Sequence, residues 1–160
     1  MNFGIGFDTH PLVTGRKLVL GGVEIPFEKG LDGWSDADVL THAIIDALLG
    51  AAALGDIGKH FPPGAPEYQG ISSLKLLAEV RKKLFDNDWA IQNIDATVIA
   101  EKPRLRDVID TMRERLSRTL GIHINQMSIK ASTANGVGSI GRGEGIVALA
   151  IASLTKNTKR

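Results

Sequence analysis

Asp8 and His10 stand two residues apart in the opening segment MNFGIGFDTH. On a strand, that spacing sends both side chains out of the same face. A second imidazole, His42, follows in a helical-looking run with Asp38 and Asp46 four residues to either side. On a helix those three share one stripe, roughly opposite the apolar one. A strand end carrying Asp-x-His and a helix carrying a His/Asp stripe can close into a site of two imidazoles and one carboxylate. Three such ligands with one open position suit catalytic zinc better than magnesium, which prefers oxygen donors. Taken alone, Asp-x-His is a weak signal; the competing reading is a surface Asp, a capping His and a solvated helix His. Asp46 has two roles open to it, orienting His42 from behind or standing as a solvated charge one turn along. His60 and His123 sit in ordinary loop surroundings and are read as structural.

Two glycine-rich stretches suggest anion handling. Ser132 to Gly145, STANGVGSIGRGEG, has closely spaced glycines that let backbone N–H groups approach an anion, with hydroxyls and Arg142 as further donors. It lacks the Gly-Lys-Ser/Thr ending of a P-loop and feeds a strand, so a flexible connector and a ligand cradle fit equally well. Gly55 to Pro62, GDIGKHFP, has a similar look, its alternative being a helix C-cap and turn.

The elements that must position these residues are legible in outline. Met1 to His10 alternates Phe3, Ile5 and Phe7 against small or polar neighbours and reads as a strand, ended by Pro11. Lys17 to Pro26 has a Gly-Gly break between short β-rich runs, a hairpin signal. Asp38 to Leu54 reads as a helix, with Val39, Ile44, Ala47, Leu48 and Ala51 at helical spacing and Gly55 as the stop. A second helix runs from an N-cap at Ser72 or Ser73 through LKLLAEVRKKLF. Trp89 to Ala100 alternates as a strand, Pro103 opens a third helix that closes at Gly121, and Met127 to Ala131 and Ile146 to Leu154 are strands. Mixed in this order, they predict a single-domain α+β sandwich over residues 1–160, a mixed sheet with helices packed on one face. The last strand, GIVALAIASL, is apolar or small on both faces: either one face meets a neighbouring subunit or the strand is buried wholly within the chain.

Composition narrows the function classes. A chain of 160 residues, 43% hydrophobic and 23% charged, is that of a globular protein with a real core. A formal net charge of +1 gives no reason to expect nucleic acid or a membrane as partner. The absence of Cys removes disulfides, thiolate ligands and cysteine nucleophiles, and sits with a cytoplasmic location. No stretch approaches the roughly 20 apolar residues of a membrane span, and the N-terminus does not read as a signal peptide.

Taken together, GFDTH, SDADVLTHAIIDALLGAAALGDIGKHFP, IAEKPRL and KASTANGVGSIGRGEGI resemble, in order and over essentially the whole chain, the 2-C-methyl-D-erythritol 2,4-cyclodiphosphate synthase family of the non-mevalonate isoprenoid pathway. The resemblance implies a homotrimer assembled around its sheets, with active sites between adjacent subunits. It implies zinc on Asp8, His10 and His42, and a magnesium or manganese ion held mainly through substrate phosphates. The implied substrate is 4-diphosphocytidyl-2-C-methyl-D-erythritol 2-phosphate. Its own 2-phosphate attacks the β-phosphorus and CMP leaves, which suits the lack of a protein nucleophile.

The same resemblance carries substrate contact onto Asp8, Thr9 and His10, onto Trp34 and Ser35, and onto Asp56, Ile57 and Gly58. It adds the segment of Phe61, Pro62, Pro63, Gly64 and Ala65. A cytidine pocket, supplied by the neighbouring subunit, falls on Ala100, Glu101, Lys102, Pro103, Arg104, Leu105 and Arg106, and on Ala131, Ser132 and Thr133. Ala134, Asn135, Ser139 and Arg142 complete the implied contacts. Thr133 is implied to help stabilise the transition state, and Arg142 to face the phosphates or a central channel, where Glu144 can pair with it. Three positions depart from the family pattern. Trp34 stands where many members have a transition-state His, and offers one N–H donor and no charge. Asn135 replaces a carboxylate that commonly touches the second metal. Ser139 replaces an aromatic or bulky residue, which bears on any apolar ligand in the channel. A zinc phosphoesterase activating water, and a non-catalytic trimeric binding module for nucleotides or prenyl phosphates, are the rival readings.

Overall fold

The computed structural model describes residues 1–157. It opens with one long strand, β1 (Asn2–Thr14). Three short strands follow, β2 (Leu18–Leu20), β3 (Val23–Ile25) and β4 (Lys29–Leu31). β2 and β3 form the hairpin expected around Gly21 and Gly22. Strands β5 (Trp89–Ile99), β6 (Met127–Ser132) and β7 (Gly145–Lys156) complete a five-stranded sheet in the order β4-β1-β7-β5-β6. It is mixed: β5 and β6 run parallel, and the other neighbours antiparallel.

β1 does not end at His10, as Pro11 suggested. The ladder to β7 continues to Pro11 opposite Gly145, and from Leu12 the strand pairs with β4. Pro11 contributes its carbonyl, which accepts from Asp32 N at 3.0 Å. A missing N–H is tolerated where the strand passes from one partner to the next, and that handover is what the proline marks.

The helices are α1 (Val39–Ala51), the single turn α2 (Ile57–His60), α3 (Ser73–Asp86), α4 (Ile109–Leu120) and the single turn α5 (Gly138–Gly141) inside the glycine-rich stretch. Ser72 is the residue before α3 and Gly121 ends α4, as expected. Pro103 does not open α4. It follows Lys102 through a cis peptide bond in the loop upstream, and a 3₁₀ turn over Arg106–Val108 leads into the helix instead.

α1 is buried on nearly every side, so it is not the two-faced helix that its apolar stripe predicted. Its N-cap, Asp38, is wholly buried and belongs to no ligand stripe. One carboxylate oxygen accepts from Thr41 N at 3.0 Å and Gly21 N at 2.9 Å, the other from Gly22 N at 2.7 Å and Thr41 Oγ1 at 2.7 Å. The helix start and the β2–β3 turn are thereby joined through one side chain.

α1 rests directly on the backbone of β1. A Cβ at Gly4 would lie 2.0 Å from the Ala47 carbonyl oxygen, and one at Gly6 would lie 1.9 Å from that of Ala43. Only glycine permits that approach. Beside it, Ala148, Ala150 and Ala152 of β7 are buried against the same layer. The opposite face of the sheet is open: Phe3, Ile5, Phe7 and Ile151 are all more than half exposed, with Ile5 directly opposite Ile151. β7 is therefore not buried on both faces within one chain. Among the described residues no helix is long and apolar enough to cross a membrane.

Candidate metal centre and substrate cleft

Gly4, Gly6, Asp8 and His10 alternate onto the helix-facing side of β1. The glycines draw α1 down, and His42, one residue before Ala43, arrives beside Asp8. Asp8 Oδ2 lies 2.9 Å from His10 Nε2 and 3.0 Å from His42 Nδ1, and the two nitrogens are 3.3 Å apart. One donor atom from each residue lies within 4.8 Å of the others, as a shared ion requires.

The far nitrogen of each ring is engaged, which sets the tautomers. His10 Nδ1 donates to the Asp32 carbonyl at 2.6 Å, leaving Nε2 with its lone pair toward Asp8. His42 Nε2 lies 2.8 Å from Ser73 Oγ and 3.2 Å from Ser35 Oγ. The Ser73 hydroxyl donates to the Asp36 carboxylate, whose other oxygen accepts from Ser73 N at 2.9 Å. With its proton spent on Asp36, Ser73 Oγ accepts from His42 Nε2–H, and His42 Nδ1 keeps its lone pair for the cluster. Nothing in the sequence singles out Asp32 or Asp36, and Ser73 stands out there only as a candidate helix N-cap. Nothing in their spacing relates them to His10 or His42.

Those lone pairs belong to the metal-bound state; without an ion the same two nitrogens face Asp8 as N–H donors. Burial works to raise the Asp8 carboxyl, but these hydrogen bonds from His10 and His42, and their charge, bring it down to about 2. Burial likewise works to lower His10; the hydrogen bond and charge of Asp8, with the Asp32 carbonyl, outweigh it and raise His10 above its ordinary value. The cluster is thus an ionised carboxylate that favours positive charge beside it. A carboxylate oxygen and two imidazole nitrogens, each ring braced from behind, fit a zinc ion with a position left toward the cleft.

That cleft is walled by Trp34, Ser35, Ile57, Gly58, Phe61 and Pro63, all expected, and by Tyr68 and Leu76, which were not. Leu76 is on the apolar face of α3; no local pattern marks Tyr68. Asp56 caps α2, accepting from Lys59 N at 2.9 Å. Asp46 does not orient His42: its carboxylate accepts from Ile57 N at 2.7 Å and so fixes the start of α2. Trp34 Nε1 donates to the Ala65 carbonyl at 2.9 Å. Pro62 and Gly64 belong to the same segment without lining the cleft, and Thr9 is exposed, its alternation taking it to the other face of β1. His60 bonds the Leu54 carbonyl and His123 caps a 3₁₀ turn, both structural as expected.

A second hollow gathers the stretches expected to hold cytidine. Ala100, Glu101, Pro103, Arg104, Leu105 and Arg106 meet Ala131, Ser132 and Thr133 there, with Ile109 added. The parallel pairing of β5 and β6 makes this inevitable, since both strands end side by side. Lys102 instead shares a hollow with Arg142. Glu101 carries a function that sequence did not suggest: its carboxylate accepts from Ala134 N at 3.3 Å and Gly136 N at 3.4 Å, bracing the glycine-rich loop. Thr133 Oγ1 donates to Asn135 Oδ1 and accepts from Asn135 N, both at 3.2 Å. Ser139 lies in α5, its carbonyl accepting from Glu144 N at 3.0 Å. Arg142 pairs with Glu144 at 2.7 Å, as anticipated. The two hollows share no residue, and both open where β1, β5 and β6 end and β7 begins.

An α+β sandwich with a carboxylate and two imidazoles at the mouth of an apolar-walled cleft defines a metalloenzyme. The sequence profile of the YgbB family matches residues 1–155, and the chain belongs to that family. It is 60% identical over 152 residues to the 2-C-methyl-D-erythritol 2,4-cyclodiphosphate synthase of Dehalococcoides mccartyi strain CBDB1, covering 95% of this chain and 97% of the relative. The enzyme of the same name from Lachnospira eligens is 58% identical over 154 residues, covering 96% and 84%. Among solved structures, IspF of Plasmodium falciparum in a CDP complex superposes with a TM-score of 0.86 at 29% identity, covering 98% of this chain and 97% of that one. The bifunctional IspDF of Campylobacter jejuni gives 0.93 at 37% identity; 97% of this chain matches, spanning 42% of that longer protein.

Proposed function

We propose that this chain converts 4-diphosphocytidyl-2-C-methyl-D-erythritol 2-phosphate into 2-C-methyl-D-erythritol 2,4-cyclodiphosphate and CMP. The observation that carries this is the Asp8–His10–His42 cluster, set in an apolar-walled cleft in a chain of this family. An oxygen of the 2-phosphate forms a bond to the β-phosphorus. The bond from that phosphorus to the oxygen bridging the α-phosphorus breaks, and its electron pair leaves on CMP. Nucleophile and electrophile belong to one molecule, so the protein's contribution is to fold the substrate back and hold it. Asp8, His10 and His42 would hold zinc, which would supply neutralisation of the charge that builds on the reacting diphosphate. Magnesium or manganese, held mainly by the substrate's phosphates, is the second cation of this reading.

Ser35, Ile57, Gly58, Phe61 and Pro63 wall the cleft where the methylerythritol diphosphate would lie, and the Ala100–Arg106 and Ala131–Thr133 hollow takes the cytidine. Trp34 and Thr133 are the positions carried over as catalytic, Thr133 presenting a hydroxyl at the edge of the second hollow. Because the two hollows are separate in one chain, a homotrimer that sets one subunit's cytidine hollow against its neighbour's metal cleft is the assembly we favour. The open apolar face of Phe3, Ile5, Phe7 and Ile151 supports it.

Purified protein with the cytidylyl substrate and magnesium, followed by phosphorus NMR, tests the reaction. The expected products are the cyclic diphosphate and CMP without inorganic phosphate; release of phosphate would instead favour the phosphoesterase. Folded His42→Ala turning over at the wild-type rate would remove the metal centre from the mechanism.

A further inference from the structure

Residues 61–70 link α2 to α3 and carry much of the cleft wall, with Phe61 packed edge-on against Tyr68 at 5.5 Å between ring centres. Phe61 at its start is buried in the core and Tyr68 near its end packs against it, but the mostly exposed stretch between them, residues 62–67, has little to hold it in place. Pro62, Pro63 and Pro66 have no N–H to donate. Its internal backbone bonds are local turns: Ala65 N to Pro62 O at 3.3 Å, Tyr68 N to Ala65 O at 3.1 Å and Gln69 N to Pro66 O at 3.2 Å. Such bonds shape the segment without setting where it lies against the metal site.

Trp34 ties it down twice. The indole N–H reaches the Ala65 carbonyl at 2.9 Å, at the middle of the segment, and the Trp34 carbonyl accepts from Gly70 N at 2.8 Å, at its end. The ring itself lines the cleft beside His10 and is 39% exposed, so one residue is both wall and tether. Indole is a donor only, and this donor is already engaged. It also has no proton to exchange between pH 5 and 8, unlike an imidazole.

We infer that Trp34 is a positioning residue, whose indole N–H to Ala65 holds residues 61–70 in the closed form that binds substrate. The proposal deepens the functional reading above and rests on it only for the identity of the substrate. At position 34 the side chain organises the cleft wall in place of supplying a charged donor.

The N–H can be removed without disturbing shape by Trp34→3-benzothienylalanine, in which sulfur replaces it; Trp34→Phe is the simpler companion. One neutral hydrogen bond corresponds to roughly a 2- to 12-fold change in an opening equilibrium. Amides of residues 64–71 should therefore exchange with deuterium faster by about that factor, while those of α1 stay unchanged. KM for the cytidylyl substrate should rise within the same range, and kcat should fall by less than KM rises. Unchanged exchange in the isosteric variant overturns the proposal, whatever happens to turnover. Faster exchange with unaltered KM also overturns it, leaving Trp34 with a structural role alone. Inactivity of the unsubstituted protein would sink the functional reading but leave the exchange measurement to judge the tether.

Discussion

Replacing Ser73 by Ala should weaken zinc binding about tenfold, the lower end of the 10- to 100-fold range for losing a partner behind a metal-bound imidazole. The size follows from the contacts. Ser73 is fully buried, and its oxygen is the nearer of two acceptors for His42 Nε2–H, at 2.8 Å against 3.2 Å for Ser35 Oγ. Without it, Ser35 can take over part of the bond, so the loss is softened to about 1.4 kcal/mol. Ser35→Ala alone should then cost less than Ser73→Ala. The double variant should cost more than the sum, because each serine covers for the other. Competition for zinc against a chromophoric chelator at neutral pH reads the affinities. Nitrogen-15 shifts of the zinc-loaded protein read the His42 tautomer directly, with the proton on Nε2 expected in the wild type. Unaltered affinity in a folded Ser73→Ala protein, or a larger loss from Ser35→Ala, would refute the relay from Asp36 through Ser73 to His42.

Gly6→Ala puts a methyl 1.9 Å from the Ala43 carbonyl oxygen, so α1 must lift. A cost of about 3 kcal/mol lowers Tm by roughly 6–12 °C, with zinc affinity falling as His42 is carried away; Gly50→Ala, whose nearest neighbours are 4.0 Å off, should leave Tm within a degree or two of wild type by comparison. In chelator-treated protein the Asp8–His10 pair has a signed pH dependence. His10 is raised from 6.5, so its contribution is complete below that value and fades as pH climbs through the raised one; Asp8, brought from 3.8 to about 2, loses its share as acid titrates between those values. Melting curves should show Asp8→Ala costing more at pH 5.5 than at pH 8.5, and the reverse order would contradict the pairing. If the proposed trimer forms through the open face, Ile5→Asp, placed opposite Ile151, should convert it to smaller species in sedimentation velocity without unfolding the chain, and an unchanged sedimentation coefficient would argue that this face is not the interface.

Much of the architecture was readable because alternation and helical spacing report which face of an element is apolar. The strands, the hairpin at Gly21–Gly22, the helix start at Ser72 and the helix stop at Gly121 are local signals of that kind. The misreadings share a cause. The usual local meaning of Pro11 is a strand end and that of Pro103 a helix start, whereas a change of strand partner at one and an extended loop at the other decide the outcome. Asp38 and Asp46 shared a stripe with His42 by spacing, but Gly21, Gly22 and Ile57, distant in sequence, had the N–H groups that claimed them.

What the sequence determined by itself is the chemistry on offer. Asp8 and His10 must leave one face of a strand together, and His42 follows on a helix whose apolar stripe must pack against something. Tertiary structure decided the rest. The depth to which α1 sinks onto the bare backbone brings three donors to a common point, and partners from residues 32, 36 and 73 choose which nitrogen of each ring faces it. Periodicity records the direction in which a side chain leaves its own element; the group that meets it there is settled only when the elements pack.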